Sequence, residues 1–189
     1  MNIDQTKKIT GVGILTAIVI VLQLMGSFIK FGPFSISLVL IPIVVGAALY
    51  GPYSGAFLGF VFSLVVLLSG DAAAFLAVNV LGTILTVILK GTLAGFVAGL
   101  VYKAFSKKPI LATILAAISC PVVNTGIFVI GCFLFFLPTV ASWGQALGFS
   151  NTGAYILFGM IGGNFLFELA SNIILSPVII RVIGMGRKQ

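Results

Sequence analysis

The sequence predicts an all-α integral membrane protein with six transmembrane helices in one bundle and both termini in the cytoplasm. Three observations support this prediction. Of the 189 residues, 60% are apolar and only 7% are charged, whereas about a quarter of the residues in a soluble domain are charged. Six apolar stretches are long enough to be spans, if one shorter helix is allowed. Most of the basic residues fall on one side of these stretches.

Each apolar stretch is a candidate spanning helix, which needs about 20 residues because the hydrocarbon core is about 30 Å thick and an α-helix rises 1.5 Å per residue. The stretches are 9–29, 35–50, 52–69, 75–102, 110–137 and 152–183. Gly51 and Pro52 predict a tight turn between the second and the third. The last three are longer than a perpendicular helix requires, so tilt or a break in the helix would absorb the excess. Without a linker or a low-complexity tract, residues 1–189 are predicted to form a single six-helix membrane domain.

The orientation of the chain follows from the basic residues, which are enriched in cytoplasmic loops. With six spans, both termini lie on one side of the membrane. Eight of the ten basic residues fall on that side: Lys7, Lys8, Lys103, Lys107, Lys108, Arg181, Arg187 and Lys188. Only Lys30 falls on the other side, and Lys90 lies within a span. Both termini are therefore predicted to be cytoplasmic, and the net charge of +7 reflects this bias rather than a nucleic-acid partner.

The composition also argues against catalysis. The chain has no histidine and only three acidic residues, so imidazole bases, Ser-His-Asp triads and clustered carboxylate metal sites are not expected. Cys120 and Cys132 lie in apolar sequence without the spacing of a zinc or redox motif. A phosphate-binding G-x-x-x-x-G-K-[ST] string is absent from the sequence. We therefore predict no enzyme activity, no cofactor and no metal, and any energy input must come from another protein.

Three loops are predicted on the outer side, at residues 30–34, 69–74 and 137–150. The third loop carries the single tryptophan, Trp143, and its polar spacing suggests a short interfacial helix or a flap. Tryptophan is enriched at membrane interfaces, which favours an anchoring role for Trp143 over a contact with a ligand.

Polar side chains within the predicted spans are candidate functional residues, because polar groups at membrane depth are costly. Helical spacing arranges them in two stripes: Asn79, Thr83, Thr86 and Lys90 on the fourth span, and Asn164, Glu168 and Asn172 on the sixth. The fifth span carries Asn124 and Thr125 at a similar depth. These residues predict a polar interior shared by the last three spans. They could line a ligand site, or they could form only interhelical hydrogen bonds and a Lys90–Glu168 ion pair.

Glycines recur every fourth residue on the third span (Gly51, Gly55 and Gly59) and on the fourth span (Gly91, Gly95 and Gly99). Small residues at this spacing allow helix backbones to approach closely in lipid. Two interpretations are open. The faces could pack against each other within the chain, or one of them could bind another membrane protein.

Three functions are compatible with such a bundle. The polar patch and the outward loops fit a binding subunit or a carrier for a small polar solute. A channel fits less well, because no filter sequence or ring of charges is repeated. An intramembrane enzyme would need a nucleophile with a base, or metal ligands, and no such set of residues is present.

Several strings of the sequence resemble one family of membrane proteins. They are 38–46 (LVLIPIVVG) with 51–56 (GPYSGA), 90–95 (KGTLAG), 121–126 (PVVNTG) and 164–168 (NFLFE). Together with six short spans, these strings resemble the substrate-binding S components of energy-coupling factor (ECF) vitamin transporters, over nearly the whole chain.

The resemblance implies a function and partners. S components bind a vitamin or a precursor in an outward-facing pocket between the outer halves of spans four to six. They then dock on a transmembrane T scaffold with two cytoplasmic ATPases, and the loaded subunit topples in the membrane to release its cargo. Docking uses an Ala-xxx-Ala face on the first span, which Gly13 and Ala17 match here. The implied location is the cell membrane of a bacterium or an archaeon.

The substrate is expected to be a small water-soluble vitamin or precursor. A pocket with Lys90, amide and hydroxyl groups and nearby aromatic rings suits a small carboxylate, with pantothenate preferred and riboflavin or pyridoxine as alternatives. The predicted substrate-binding residues are Asn79, Thr83, Lys90, Asn124, Thr125, Phe128, Tyr155, Asn164 and Glu168. The alternative function is a self-sufficient secondary carrier for a small polar solute.

Overall fold

The computed structural model describes residues 3–28, 30–31, 34–35 and 38–186, with the side chains of 5–27, 38–163 and 165–185. Nearly all of the described chain is helical. The helices are α1 (Ile3–Phe28), α2 (Leu40–Tyr50), α3 (Pro52–Leu68), α4 (Ala73–Leu76), α5 (Val80–Ala104), α6 (Pro109–Phe135), α7 (Leu137–Ala146), α8 (Thr152–Ala154), α9 (Gly162–Ile174) and α10 (Ser176–Gly186), with a π-helical stretch at Tyr155–Ile161. Two short antiparallel strands, β1 (Lys30–Phe31) and β2 (Phe34–Ser35), follow α1.

The predicted all-α membrane class is confirmed. Within the described ranges, α1, α5 and α6 are long and apolar enough to cross a membrane, and a fourth span results if the bent pair Thr152–Ile161 and Phe165–Ile174 counts as one. The shorter apolar helices are α2, α3 and α10. At 1.5 Å per residue, the 11 residues of α2 cover only about half of the hydrocarbon thickness. Eight of them are buried, so α2 lies within the bundle.

The predicted Gly-Pro turn joins α2 to α3. Gly51 has a φ of +94°, a conformation that a side chain disfavours. Its N–H donates to the carbonyl oxygen of Ala47 at 3.1 Å, which ends α2. Pro52 then opens α3, where its missing N–H has no cost. This single-residue connection forces the chain to reverse direction.

The fourth and sixth predicted spans differ from the observed helices. The fourth was expected to begin at residue 75, but α4 ends at Leu76 and α5 begins only at Val80. Asn79 caps α5, with its Oδ1 accepting a hydrogen bond from the Gly82 N–H at 2.9 Å, because an Asn side chain satisfies a free N–H of the first helical turn. The sixth stretch is not one straight helix, since it bends by 43° after the π-helical residues.

Glycines hold α3 and α5 in backbone contact. A methyl group on Gly55 would overlap the carbonyl oxygen of Gly95, and one on Gly59 would overlap that of Gly91. The Ser63 hydroxyl adds an interhelical hydrogen bond to the Val87 carbonyl oxygen at 2.7 Å. The glycine faces therefore pack against each other within the chain, which is the first of the two interpretations.

The connections divide between two ends of the bundle. Residues 69–79 and 136–151, which connect α3 to α5 and α6 to α8, lie at one end, called here the loop end. Residues 105–108, which connect α5 to α6, lie at the opposite end together with the start of α1. The basic residues Lys7, Lys8, Lys103, Lys107, Lys108 and Arg181 belong to this opposite end. Arg187 and Lys188 lie outside the described residues.

Candidate functional site

A cavity of about 410 Å³ lies between α3, α5, α6 and α9 and reaches the α3–α4 loop. This volume is in the range of small-molecule sites. Its walls are partly aromatic, and among the side chains that the structure describes eight polar or charged ones line it: Gln23, Asp71, Thr83, Thr86, Lys90, Asn124, Thr125 and Glu168. The arrangement suits a small solute with both polar and apolar parts.

Helix geometry places Lys90 and Asn124 at one depth. Lys90 lies ten residues after the start of α5, and Asn124 lies eleven residues before the end of α6. At 1.5 Å per residue, both backbones are about 15 Å from the loop end. Glu168, on α9, reaches the same cavity. The structure therefore brings together polar side chains from the three segments that the helical stripes singled out.

Two buried polar atoms in the cavity have no hydrogen-bond partner among the described residues. They are Thr86 Oγ1 and Asn124 Oδ1, and both residues line the cavity. An unsatisfied buried polar atom costs about 1–3 kcal/mol, and this cost is recovered when a bound molecule supplies the missing hydrogen bond. These atoms are suited to bind a ligand that carries hydrogen-bond donors.

Lys90 occupies a mixed aromatic and acidic environment. Its Nζ lies 5.9 Å from the centroid of the Phe62 ring and 5.4 Å from that of Phe128, distances at which a cation is attracted to an aromatic face. Glu168 attracts the Lys90 side chain electrostatically, and Asp71 does so more weakly. The rings and the carboxylates together offset part of the cost of burying this amino group.

An aromatic cluster covers the cavity near the loop end. Phe75 is its centre, with ring centroids 5.5 Å from Phe128, 5.0 Å from Phe136 and 5.5 Å from Trp143. All three contacts are edge-to-face, the geometry that aromatic pairs favour. Trp143 lies on α7, so the third predicted loop does contain a short helix. Through Phe75, this helix packs over the cavity.

The structure assembles six of the nine predicted substrate-binding residues around the cavity: Thr83, Lys90, Asn124, Thr125, Phe128 and Glu168. Asn79 and Tyr155 are not among the residues that line it. Asn79 caps α5, as described above. Tyr155 is buried, and its ring contacts that of Phe149 in a tilted arrangement with 5.4 Å between the centroids. The side chain of Asn164 lies outside the described residues.

Three polar residues of the described cavity lining were not among the nine predicted substrate-binding residues. Thr86 was identified on the fourth-span stripe but was not included in that set. Gln23 is a polar residue in a mostly apolar part of α1, and Asp71 was placed in the second predicted outer loop. The Gln23 Nε2 donates to Asp71 Oδ2 at 2.7 Å across 48 residues of sequence, a contact that no local pattern could indicate.

The predicted docking residues lie on the outer surface of α1. Gly13 and Ala17 are both exposed, and a methyl group built on Gly13 would meet no atom within 4 Å. Beside Gly13, a shallow apolar groove runs between α1 and α3, where Tyr53 and Phe57 form one wall. This face is therefore accessible along α1.

Comparison with known proteins gives one match. The family model described as "ECF transporter, substrate-specific component" matches residues 7–180, which is most of the chain. No curated protein and no solved structure matches the chain.

Proposed function

Because the chain belongs to the family of ECF transporter substrate-specific components, we propose that it binds a water-soluble vitamin or precursor in the cavity described above. This family consists of transporter subunits rather than enzymes. The observation that carries the proposal is the pair of unsatisfied polar atoms, Thr86 Oγ1 and Asn124 Oδ1. Bulk water can satisfy such atoms in an exposed site, whereas here a bound solute would do so inside a cavity lined by aromatic rings.

Pantothenate is our first candidate for the substrate, with riboflavin and pyridoxine as alternatives. Its carboxylate would approach Lys90, and its hydroxyl and amide groups would meet Asn124, Thr125 and Thr86. Its aliphatic part would lie against Phe128. Asn79 and Tyr155, which were also predicted from the sequence, would support the cavity from outside it, since Asn79 caps α5 and Tyr155 packs beside α7. Asn164 stays a predicted substrate-binding residue.

The partners in this proposal are a transmembrane T scaffold and two ATPases. The exposed face at Gly13 and Ala17 would bind the scaffold, because small residues let a partner helix approach closely in lipid. The loop end would then face outward and the basic end would face the cytoplasm, in agreement with the enrichment of Lys and Arg in cytoplasmic loops. The chain would act in the cell membrane of a bacterium or an archaeon.

The test is direct binding to the purified chain. The protein is purified in detergent, co-purifying molecules are identified by mass spectrometry, and thermal stability is measured with pantothenate, riboflavin, pyridoxine and thiamine. We expect one of them to raise the melting temperature. A chain that stays empty and is not stabilised by any of them would overturn the binding function. Uptake by cells lacking any T scaffold and ATPase would instead favour a self-sufficient secondary carrier.

A further inference from the structure

Asp71 contributes a carboxylate to the cavity from the loop between α3 and α4. Its Oδ2 accepts three hydrogen bonds, from Gln23 Nε2 at 2.7 Å, Ser27 Oγ at 2.5 Å and Ser69 Oγ at 3.1 Å. Two of these donors are on α1, so the carboxylate is held between the loop and α1. In the part of the chain that the structure describes, Oδ1 accepts no hydrogen bond. A carboxylate has about four lone-pair sites over its two oxygens, and those on Oδ1 are available to accept a hydrogen bond.

The charges of the cavity are unbalanced. Among its described lining residues, Lys90 is the one formal cation, whereas Asp71 and Glu168 are both acidic. Glu168 attracts Lys90 more strongly than Asp71 does. The charge of Asp71, which is partly exposed, is stabilised by the hydrogen bonds from Gln23, Ser27 and Ser69.

We propose that Asp71 Oδ1 determines the specificity of the cavity by accepting a hydrogen bond from the solute. The class of ligand is a small solute that presents a hydroxyl group toward the α3–α4 loop. This inference rests on the proposed function, since it assumes that the cavity holds a solute. A solute whose only polar group is a carboxylate would add a second uncompensated negative charge, and the cavity would bind it poorly.

The two polar ends of the cavity, at Lys90 and at Asp71, would then contact different parts of one solute molecule. The Lys90 backbone lies about 15 Å along α5 from the loop end, and its side chain leans toward that end because Cα–Cβ bonds tilt toward the helix N-terminus. Asp71 lies at the loop end itself. The rings of Phe62 and Phe128 flank Lys90, so the part of the solute next to Lys90 is held between apolar walls.

The experiment compares Asp71→Asn with the wild-type chain by isothermal titration. The probe is whichever of pantothenate, pyridoxine, riboflavin and thiamine binds the wild type, together with a derivative in which its hydroxyl groups are methylated. Because hydrogen bonds to charged groups are stronger than neutral ones, we expect Asp71→Asn to weaken binding of the parent vitamin about tenfold or more. The methylated derivative has no hydroxyl donor left, so the substitution should change its Kd less than about twofold.

The control is Ser27→Ala, which removes one donor to Oδ2 and leaves the Asp71 carboxylate in place. This variant should keep the preference for the parent vitamin over its methylated derivative. Equal binding of the parent by Asp71→Asn and the wild type, or an equal loss for both ligands, would overturn the inference. Loss of this preference in Ser27→Ala would also overturn the inference, because the role of Asp71 would then be only to connect the loop to α1 through hydrogen bonds. If the wild type bound none of the four vitamins, the proposed function itself would fail.

Discussion

Gly59 of α3 and Gly91 of α5 place two helix backbones in direct contact, so closely that a methyl group on Gly59 would overlap the carbonyl oxygen of Gly91. This contact positions α5, whose next turns carry Thr86, Val87 and Lys90 into the cavity. Helix packing at the glycines and the geometry of the site are therefore linked.

We expect Gly59→Ala to destabilise the protein by about 1–3 kcal/mol, the usual cost of adding a methyl group to a tightly packed position. The measurement is the melting temperature in detergent. Gly126→Ala on α6 is the control, because no atom lies within 4 Å of the added methyl group and alanine has the higher helix propensity. Its melting temperature should stay equal or rise. If Gly59→Ala had the same melting temperature as the wild type, this result would contradict the close packing of α3 and α5.

Thr86→Val should weaken vitamin binding by about 2- to 10-fold, which corresponds to the loss of one hydrogen bond. Valine keeps the shape of threonine and removes only the hydroxyl group. The matched control is Thr113→Val on α6, which is equally buried but lies outside the cavity, where its hydroxyl donates to the Pro109 carbonyl oxygen at 2.9 Å. Titration of both variants should show a loss for Thr86→Val alone. A similar loss in both would indicate a general effect on packing.

Lys90→Met tests whether Lys90 and Glu168 are structural or bind the solute. Removal of Lys90 leaves the buried Glu168 carboxylate without the cation that attracts it, and an uncompensated buried charge costs about 3–5 kcal/mol. We therefore expect a large drop in melting temperature. The double variant Lys90→Met/Glu168→Gln removes both charges and should recover most of the stability. Under the proposed function, this double variant should bind the vitamin at least tenfold more weakly than the wild type does, even though its stability is restored. Full recovery of binding would assign the two residues to the structure of the bundle only.

Gly13→Trp and Ala17→Trp should abolish uptake in cells that contain the T scaffold and the ATPases, because a large side chain would block the small-residue face. Binding to the purified chain should remain unchanged, since both residues are exposed and lie outside the cavity. Leu89→Trp on the outer face of α5, where the leucine is 47% exposed, is the control and should retain uptake. Lost binding in the α1 variants would mean that the face at Gly13 and Ala17 supports the cavity instead of docking a partner.

Helical period and hydropathy predicted a large part of the site. The i, i+3 and i+7 spacing of Thr83, Thr86 and Lys90 correctly placed them on one face of one helix, because side-chain direction within a helix depends only on position along it. The same spacing failed for Asn79, which lies one residue before α5 begins. An Asn that caps a helix and an Asn buried within one can fit the same helical spacing. The spacing does not show where a helix begins, because helix ends depend on capping hydrogen bonds.

The sequence by itself determined the membrane class, the polar stripes and the glycine faces, because these depend on composition and on spacing along one helix. Only the tertiary structure decided which glycines meet and that Gln23 holds Asp71 at the cavity. It also showed that the last apolar segment bends by 43°. These features depend on contacts between residues far apart in the chain. Within lipid, several arrangements bury the same apolar surface, and the close fit of small residues and hydrogen bonds selects among them.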